Sequence, residues 1–165
     1  MTATPLEDGW CFYVLPFDLA YEHFDEFKPI IKLYRDKLTN GDGFKLPTWK
    51  SFKFADFKGW HHHIALSEVD EENYMPRFRI MPTGIVDILN RDLTGQTLDT
   101  IMENTTRKKI QTHIKNLMQG PYIGLTTGRM SKQNDEMVFF ASLYLPLTIL
   151  GEKVEQFIHV ISLDN

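Results

Sequence analysis

The sequence contains a single cysteine, Cys11, among its 165 residues. One thiol cannot form an internal disulfide, and the chain has no Cys-x-x-Cys pair and no cysteine and histidine spacing of the kind that binds zinc. These absences exclude a disulfide-stabilised fold and a structural zinc centre. We predict no metal site, and we expect a reducing, cytoplasmic compartment.

The chain also lacks an excess of positive charge. It contains 18 Lys and Arg residues and 22 Asp and Glu residues, so the net charge is −4. A nucleic-acid-binding protein usually presents a basic field. The one basic cluster, Arg107-Lys108-Lys109, is better interpreted as the solvated start of a helix. We therefore predict no nucleic-acid partner.

Long uninterrupted apolar runs are missing as well. The longest covers residues 137–150 and is interrupted by Ser142, Pro146 and Thr148, which makes it too short and too polar to cross a bilayer. The N-terminus does not have the charged and then apolar layout of a secretory signal. We expect no membrane partner.

The composition is that of a globular protein, with 42% hydrophobic residues, 13% aromatic residues and 12 Phe. A chain of this length can bury a proper core as one domain. We interpret residues 1–19 as an N-terminal arm that is apolar enough to dock on something, and residues 20–165 as the domain.

Apolar residues recur at helical spacing near the N-terminus. Their separations of 3, 4, 3 and 4 form one stripe of an amphipathic helix. Pro29 falls inside this stripe and predicts a kink or a late helix start. The stripe consists of Phe24, Phe27, Ile31, Tyr34 and Leu38.

The rest of the chain predicts an α+β domain. Short helices are expected at residues 53–60 and 95–103. A longer helix, capped by Asn104, Thr105 or Thr106, should run to about Gln119. We predict a five-stranded antiparallel sheet with helices over one face. Its strands should lie near residues 62–69, 77–89, 121–130, 136–150 and 154–163.

Several short motifs occur in a characteristic order along the chain. Tyr34-Arg35 and Leu46-Pro47 come first, then residues 54–60, Arg79-Ile80-Met81-Pro82-Thr83 and Asn90-Arg91-Asp92-Leu93-Thr94-Gly95. Together they resemble the single-domain PAS family common in alphaproteobacteria, over roughly residues 20–150. The resemblance implies a PAS-like sheet of five strands with flanking helices and an N-terminal helix. It also implies a small cytoplasmic sensor or adaptor without an output domain of its own, which acts in signalling through a small ligand or a protein partner and is not an enzyme.

Two positions depart from the family pattern, since Pro82 and Asn90 stand where the family usually has glycine. Asn is the non-glycine residue that best tolerates a positive φ, so Asn90 can keep the turn. Pro82 lacks a backbone donor, which puts strand pairing around it in question.

A ligand cavity is expected between the long helix and the inner face of the sheet, with His113 as its polar anchor. Such sites are mostly apolar with one or two polar groups. Ala141 is the smallest residue of its row, so space would open beside it. The predicted ligand-binding residues are Ile110, His113, Ile114 and Leu117 on the helix and Phe139, Ala141 and Leu143 on the sheet, if that is the inner face.

Neither haem nor flavin is expected, and no catalytic residue is assigned. Haem-binding PAS domains take their axial histidine from the long helix, but His113 lies at the shoulder of its apolar face. Flavin photochemistry in light-sensing relatives needs a cysteine beside the ring, and Cys11 lies outside the matched region. The run His61-His62-His63 is interpreted as a polar strand start.

Two alternatives to the sensor stay open. A small cavity-containing enzyme on a curved sheet would need an acid or base inside, such as His113 or Asp87. A plain interaction module would have a filled core.

Arg79 is expected on the solvent face, paired with an acid such as Asp87.

Strand 137–147 is apolar on both faces, so both faces should be covered. One cover would be the domain's own helices, and the other either the N-terminal helix or a second copy of the chain. We predict a homodimer through the N-terminal segment and the outer sheet face. The alternative is that the arm folds back on its own sheet.

Overall fold

The computed structural model describes residues 9–41, 43–101, 104–132 and 134–164. Within these ranges the chain is α+β. The α-helices are α1 (Phe17–His23), α2 (Lys28–Asp36), α3 (Thr83–Leu89) and α4 (Asn104–Leu117). The strands are β1 (Cys11–Leu15), β2 (Thr39–Gly41), β3 (Gly43–Lys45), β4 (Ile64–Asp70), β5 (Met75–Ile80), β6 (Ile123–Ser131), β7 (Met137–Leu147) and β8 (Gln156–Asp164).

The main sheet has six strands in the order β1-β6-β7-β8-β4-β5, and every pair in it is antiparallel. Strands β4 and β5, the intervening helices and strands β6 to β8 give the layout of two strands, helices and three strands that the PAS resemblance implied. The prediction of five strands is corrected to six. The additional strand is β1, in which Cys11 lies opposite Thr127 and Leu15 opposite Ile123 of β6.

The segment predicted as one strand over residues 77–89 is a strand followed by a helix, so that prediction was wrong. Strand β5 ends at Ile80, and α3 begins directly after Pro82. Proline has no N–H for the strand ladder, while the Pro82 carbonyl accepts the N–H groups of Ile85 and Val86 as the first turn of the helix. The predicted role of Asn90 is confirmed, because it closes α3 in the left-handed conformation with φ 50° and ψ 36°.

The N-terminal stripe is divided between several short helices. Helix α1 is followed by a 3-10 turn at Asp25–Phe27 and then by α2, in which Pro29 is the second residue. This is the late helix start that Pro29 predicted, because a first-turn N–H has no helical partner to lose. Phe24, Phe27, Ile31 and Tyr34 are buried in one core on the sheet face that also carries Leu143 and Leu145.

The opposite face of the sheet is covered by α3 and α4. Ile110, Ile114 and Leu117 of α4 pack with Phe140 and Tyr144 of β7. The prediction of helices over one face is therefore corrected to helices over both faces, with the N-terminal helices as the second cover. We call the face under α3 and α4 the inner face and the face under α1 and α2 the outer face.

Several smaller elements complete the fold. The helix expected at residues 53–60 is a 3-10 stretch at Phe54–Phe57, preceded by another at Trp49–Ser51. The helix expected at 95–103 is a 3-10 turn at Leu98–Ile101. In the part of the chain that the structure describes, none of the helices combines the length and the hydropathy needed to cross a membrane.

Candidate ligand-binding site

A cavity of about 70 Å³ lies on the inner face of the sheet, beneath α3 and the segment that follows it. Its walls are almost entirely apolar, and its polar groups come from the sheet. The lining residues on the helix side are Met81, Ile85, Leu89, Leu93 and Leu98, and those on the sheet side are Trp10, Phe78, Thr126, Met130, Phe140, Ser142, Tyr144, His159 and Ile161.

Small side chains in one row of the sheet leave this space open. Thr126 of β6 lies directly opposite Ser142 of β7, which in turn lies opposite Ile161 of β8. Side chains alternate between the two faces of a strand, so the hydroxyls of Thr126 and Ser142 form part of the cavity floor. The larger Phe140 and Tyr144 stand on either side of Ser142 along β7 and form walls.

The Thr126 hydroxyl is a buried polar group of the cavity that lies near the Tyr144 hydroxyl. The residue is only 1% exposed, and its Oγ1 atom has no hydrogen-bond partner of standard geometry. A buried hydroxyl that lacks a well-formed hydrogen bond costs up to about 1–3 kcal/mol. A molecule in the cavity that hydrogen-bonds to Thr126 would remove that cost.

Two buried histidines flank Tyr144 on the inner face. His113 reaches the ring of Tyr144 from α4 at a centroid distance of 5.0 Å, and His159 reaches it from β8 at 4.4 Å. The imidazole of His159 also lies 2.6 Å from the Ser67 hydroxyl, measured from Nε2 to Oγ. Of the two histidines, His159 lines this cavity, whereas His113 lines a separate and more open recess of about 360 Å³ beside Phe12 and Val14.

Burial determines the protonation of His113, Tyr144 and His159. Removal from water lowers the pKa of His113 to about 4. It also lowers the pKa of His159 to about 3, with a further contribution from the charge that His113 would carry. Burial raises the pKa of Tyr144 to about 12, although the nearby Thr126 hydroxyl acts in the opposite direction. All three groups are therefore neutral near pH 7.

A glycine makes room for His113. Gly124 lies opposite Tyr144 in the sheet register. A Cβ atom at Gly124 would come within 3.1 Å of His113 Nε2 and 2.8 Å of Leu117 Cδ1. The absence of a side chain there lets α4 pack closely on β6 and places the imidazole beside Tyr144.

The predicted site residues are divided between the two faces. Ile110, His113, Ile114 and Leu117 are buried on the inner face. Phe139, Ala141 and Leu143 alternate with Phe140 and Ser142 along β7 and point to the outer face, where Phe139 is 53% exposed. The structure therefore does not bring the helix set and the sheet set together.

The cavity residues Thr126, Ser142, Tyr144 and His159 were missed by the sequence interpretation. The usable signal was the series Gly124, Thr126 and Gly128 in β6, since small residues at every second position leave space on one face. Strand β7 is apolar on both faces, so its own pattern could not say which face lies under the helices.

Other candidate groups lie away from the cavity. His61–His63 form a 3-10 turn, in which His61 Nε2 lies 2.8 Å from the Phe54 carbonyl oxygen. Within the described ranges, no three His, Cys, Asp or Glu side chains lie together as metal ligands. The predicted exposure of Arg79 is confirmed, but its partner is Glu68 of β4 at 2.6 Å and not Asp87.

Comparison with known proteins gives distant similarity to solved structures and nothing else. No family model matches the sequence, and no curated protein matches it. The chain is similar to a solved structure described as an RNA-binding light-oxygen-voltage receptor, with 14% sequence identity and a TM-score of 0.47. The match covers 76% of this chain and 36% of that one, so this chain spans about a third of the receptor structure. A likeness at this level carries no functional argument.

Proposed function

We propose that this chain is a PAS-type sensor domain that binds a small, mostly apolar molecule with a hydrogen-bonding group. The molecule would lie in the cavity between α3 and the inner face of the sheet. The observation that carries the proposal is the Thr126 hydroxyl, which is buried in a mostly apolar wall and makes no hydrogen bond of standard geometry. Enclosed apolar sites with a few polar groups are typical of small-molecule binding.

The cavity volume limits the ligand. A volume of about 70 Å³ is well below the roughly 300–1,000 Å³ of sites for drug-sized ligands. A molecule of a few heavy atoms fits without rearrangement. A larger ligand would have to displace α3, which forms much of the apolar wall.

Displacement of α3 offers a route from binding to signalling. The helix is held at its start by His62, whose Nδ1 lies 3.1 Å from Thr83 Oγ1. It is closely packed there, because a Cβ atom at Gly84 would lie 2.7 Å from the His62 carbonyl oxygen. A ligand that shifts α3 would change the surface around His62, and a partner protein could bind one arrangement better than the other.

Xenon and acetone provide a direct test of the site. Xenon probes the apolar cavity alone, and acetone adds a carbonyl that can accept a hydrogen bond from Thr126. We expect both to shift amide NMR signals of Ile85, Thr126 and Ser142. Thr126→Val should weaken acetone binding about tenfold while xenon binding persists, because only the hydrogen bond is lost.

Thr127→Val is the matched control, since Thr127 is the next residue on the same strand and has the same chemistry. It lies opposite Ala141, on the other face of the sheet, and its substitution should change neither probe. The proposal fails if xenon leaves the cavity amides unchanged, or if the two Thr→Val variants bind acetone equally.

We propose no catalytic role for the buried groups, although Ser67 and His159 lie within hydrogen-bond distance. A general base works best with a pKa near the operating pH, whereas burial lowers the pKa of His159 to about 3. Ser67 is not part of the cavity wall, and Asp87 is exposed.

We also propose a cytoplasmic location, which rests on the exposed, free thiol of Cys11.

A further inference from the structure

The loop that follows β7 presents two large apolar side chains to solvent. Ile149 is 52% exposed and Leu150 is 80% exposed. We call these two residues the apolar tip. The exposed carboxylate of Glu152 follows two residues later.

Hydrogen bonds to the side chains of Glu155 and Thr148 hold the apolar tip in a defined conformation. One carboxylate oxygen of Glu155 accepts the N–H groups of Ile149 at 2.5 Å and Leu150 at 2.9 Å, and the Thr148 hydroxyl at 3.2 Å. Gly151 has a φ of 92° and donates its N–H to the Thr148 hydroxyl at 2.8 Å. A loop fixed in this way loses little conformational entropy on binding, which favours association.

A groove of about 440 Å³ lies elsewhere on the protein. Aromatic rings form most of it, and the ring of Phe54 is 78% exposed and stacked on His61 at a centroid distance of 3.9 Å. Ile80, at the end of the edge strand β5, is 40% exposed. We call this the aromatic groove, and the residues used below are Trp49, Lys50, Phe52, Lys53, Phe54 and Ile80.

Two lysines give the aromatic groove a positive character. Lys50 and Lys53 are both exposed, and neither forms an ion pair within the described residues. In a chain whose net charge is −4, an apolar groove with two unpaired cations fits an apolar group that carries an acid beside it. The apolar tip followed by Glu152 has this chemistry.

We infer that the aromatic groove binds the apolar tip of a second copy of this chain. The Thr148 N–H donates to the Pro47 carbonyl at 3.0 Å, which places the base of the tip next to the segment that enters the groove at Trp49. A tip and a groove on neighbouring parts of one surface allow a two-fold axis, so that each copy inserts its tip into the other. The two contacts are small, so the dimer is weak, with a dissociation constant of about 10–100 µM.

This arrangement differs from the dimer predicted from the N-terminal stripe. Phe24, Phe27, Ile31 and Tyr34 are buried against the chain's own sheet, so they are not exposed for a partner. The inference is also independent of the ligand cavity, because the groove and the cavity share no lining residue.

Sedimentation velocity of the full chain from about 5 to 500 µM tests the inference over the range expected for a weak interface. The wild-type chain should shift from monomer to dimer. Leu150→Lys should weaken the dimer at least about tenfold, because it places a positive charge in an apolar groove beside Lys50 and Lys53. The matched control is Leu19→Lys, which charges an exposed leucine of α1 and should leave the dimer unchanged.

A charge reversal separates a specific contact from a general effect on the surface. Lys50→Glu together with Lys53→Glu should abolish dimerisation, and the addition of Glu152→Lys should restore it at least in part. Thermal unfolding of each variant checks that it is folded. The inference is overturned by a monomer at every concentration, by a dimer insensitive to Leu150→Lys, by equal sensitivity to Leu19→Lys, or by a triple variant that stays monomeric. Growth beyond a dimer would overturn the two-fold arrangement.

Discussion

At the scale of single residues, the buried histidines determine how the protein responds to acid. His113 and His159 are each 2% exposed, and the unfolded chain would expose both to water. Their pKa values in the folded chain, about 4 and about 3, lie below the ordinary value of 6.5. At a pH between the folded pKa values and the ordinary value, the unfolded chain binds protons that the folded chain does not accept.

The sign of the pH dependence follows from this difference. The stabilising effect of a neutral buried histidine is complete above pH 6.5 and is lost as the pH falls from there toward the folded pKa. We expect the free energy of unfolding to decrease by roughly 1.4 kcal/mol per pH unit for each histidine below about pH 6. Urea denaturation at a series of pH values from about 7 to about 5 measures this slope.

His113→Phe should reduce the slope by one proton, because a phenyl ring can pack between Phe12 and Tyr144 but does not titrate. His62→Phe is the control, since His62 is exposed. An unchanged slope in His113→Phe would contradict the assignment of His113 as a buried neutral group.

At the scale of elements, β1 shows how glycine positions a strand. The indole of Trp10 lies over Gly128 of β6, and its Nε1–H donates to the Arg129 carbonyl at 3.0 Å. It also packs edge-on against Phe140 with the ring centroids 4.8 Å apart. The tryptophan therefore anchors the start of β1 and forms one wall of the cavity.

We predict that Gly128→Ala loosens β1. A Cβ atom at this position would lie 2.9 Å from Trp10 Cγ, so the indole must move. The free energy of unfolding should decrease by about 1–3 kcal/mol, as for other overpacked sites, and the amides of Cys11–Leu15 should exchange hydrogen faster.

Gly120→Ala is the control, because its Cβ atom would meet only the Tyr122 ring, at 3.4 Å. Protection of the β1 amides that is equal in the two variants would show that Gly128 does not hold the strand in place.

How far the sequence predicted these elements depended on the local pattern. Strands β4, β6, β7 and β8 and helix α4 were predicted correctly, because each has a run of apolar residues bounded by turn or capping residues. The prediction of a strand was wrong at α3, where Ile85, Ile88 and Leu89 have helical spacing inside an apolar run. The pattern of β7 alone could not place the cavity, because a strand that is apolar on both faces does not indicate which face lies under α4.

At the scale of the whole molecule, the sheet separates two cores. The N-terminal helices pack on the outer face, while the inner face holds the ligand cavity beside Tyr144 and His159. Of the two ways to cover the outer face that the sequence left open, the N-terminal helix is the one observed. Dimerisation itself stays a prediction, now assigned to a different surface.

We predict that the purified protein has no absorbance band of haem or flavin. Cofactors of this size need sites in the range of about 300–1,000 Å³, whereas the cavity on the inner face measures about 70 Å³. The recess of about 360 Å³ beside His113 is open to solvent and is lined on its helix side by Lys108, Lys109, Thr112 and Asn116. A visible absorbance spectrum of the purified protein decides this, because both cofactors are coloured. A strong band that disappears in His113→Ala would contradict the prediction and identify an axial ligand.

The position of β1 has a consequence for aggregation. The strand covers the free edge of the nine-residue strand β6. A chain shortened to begin at residue 20 would expose the N–H and C=O groups of that edge, from Ile123 to Thr127. Uncovered edges of this kind recruit strands from other molecules. We therefore expect a chain without the arm to aggregate through intermolecular strand pairing and not to remain a smaller soluble domain.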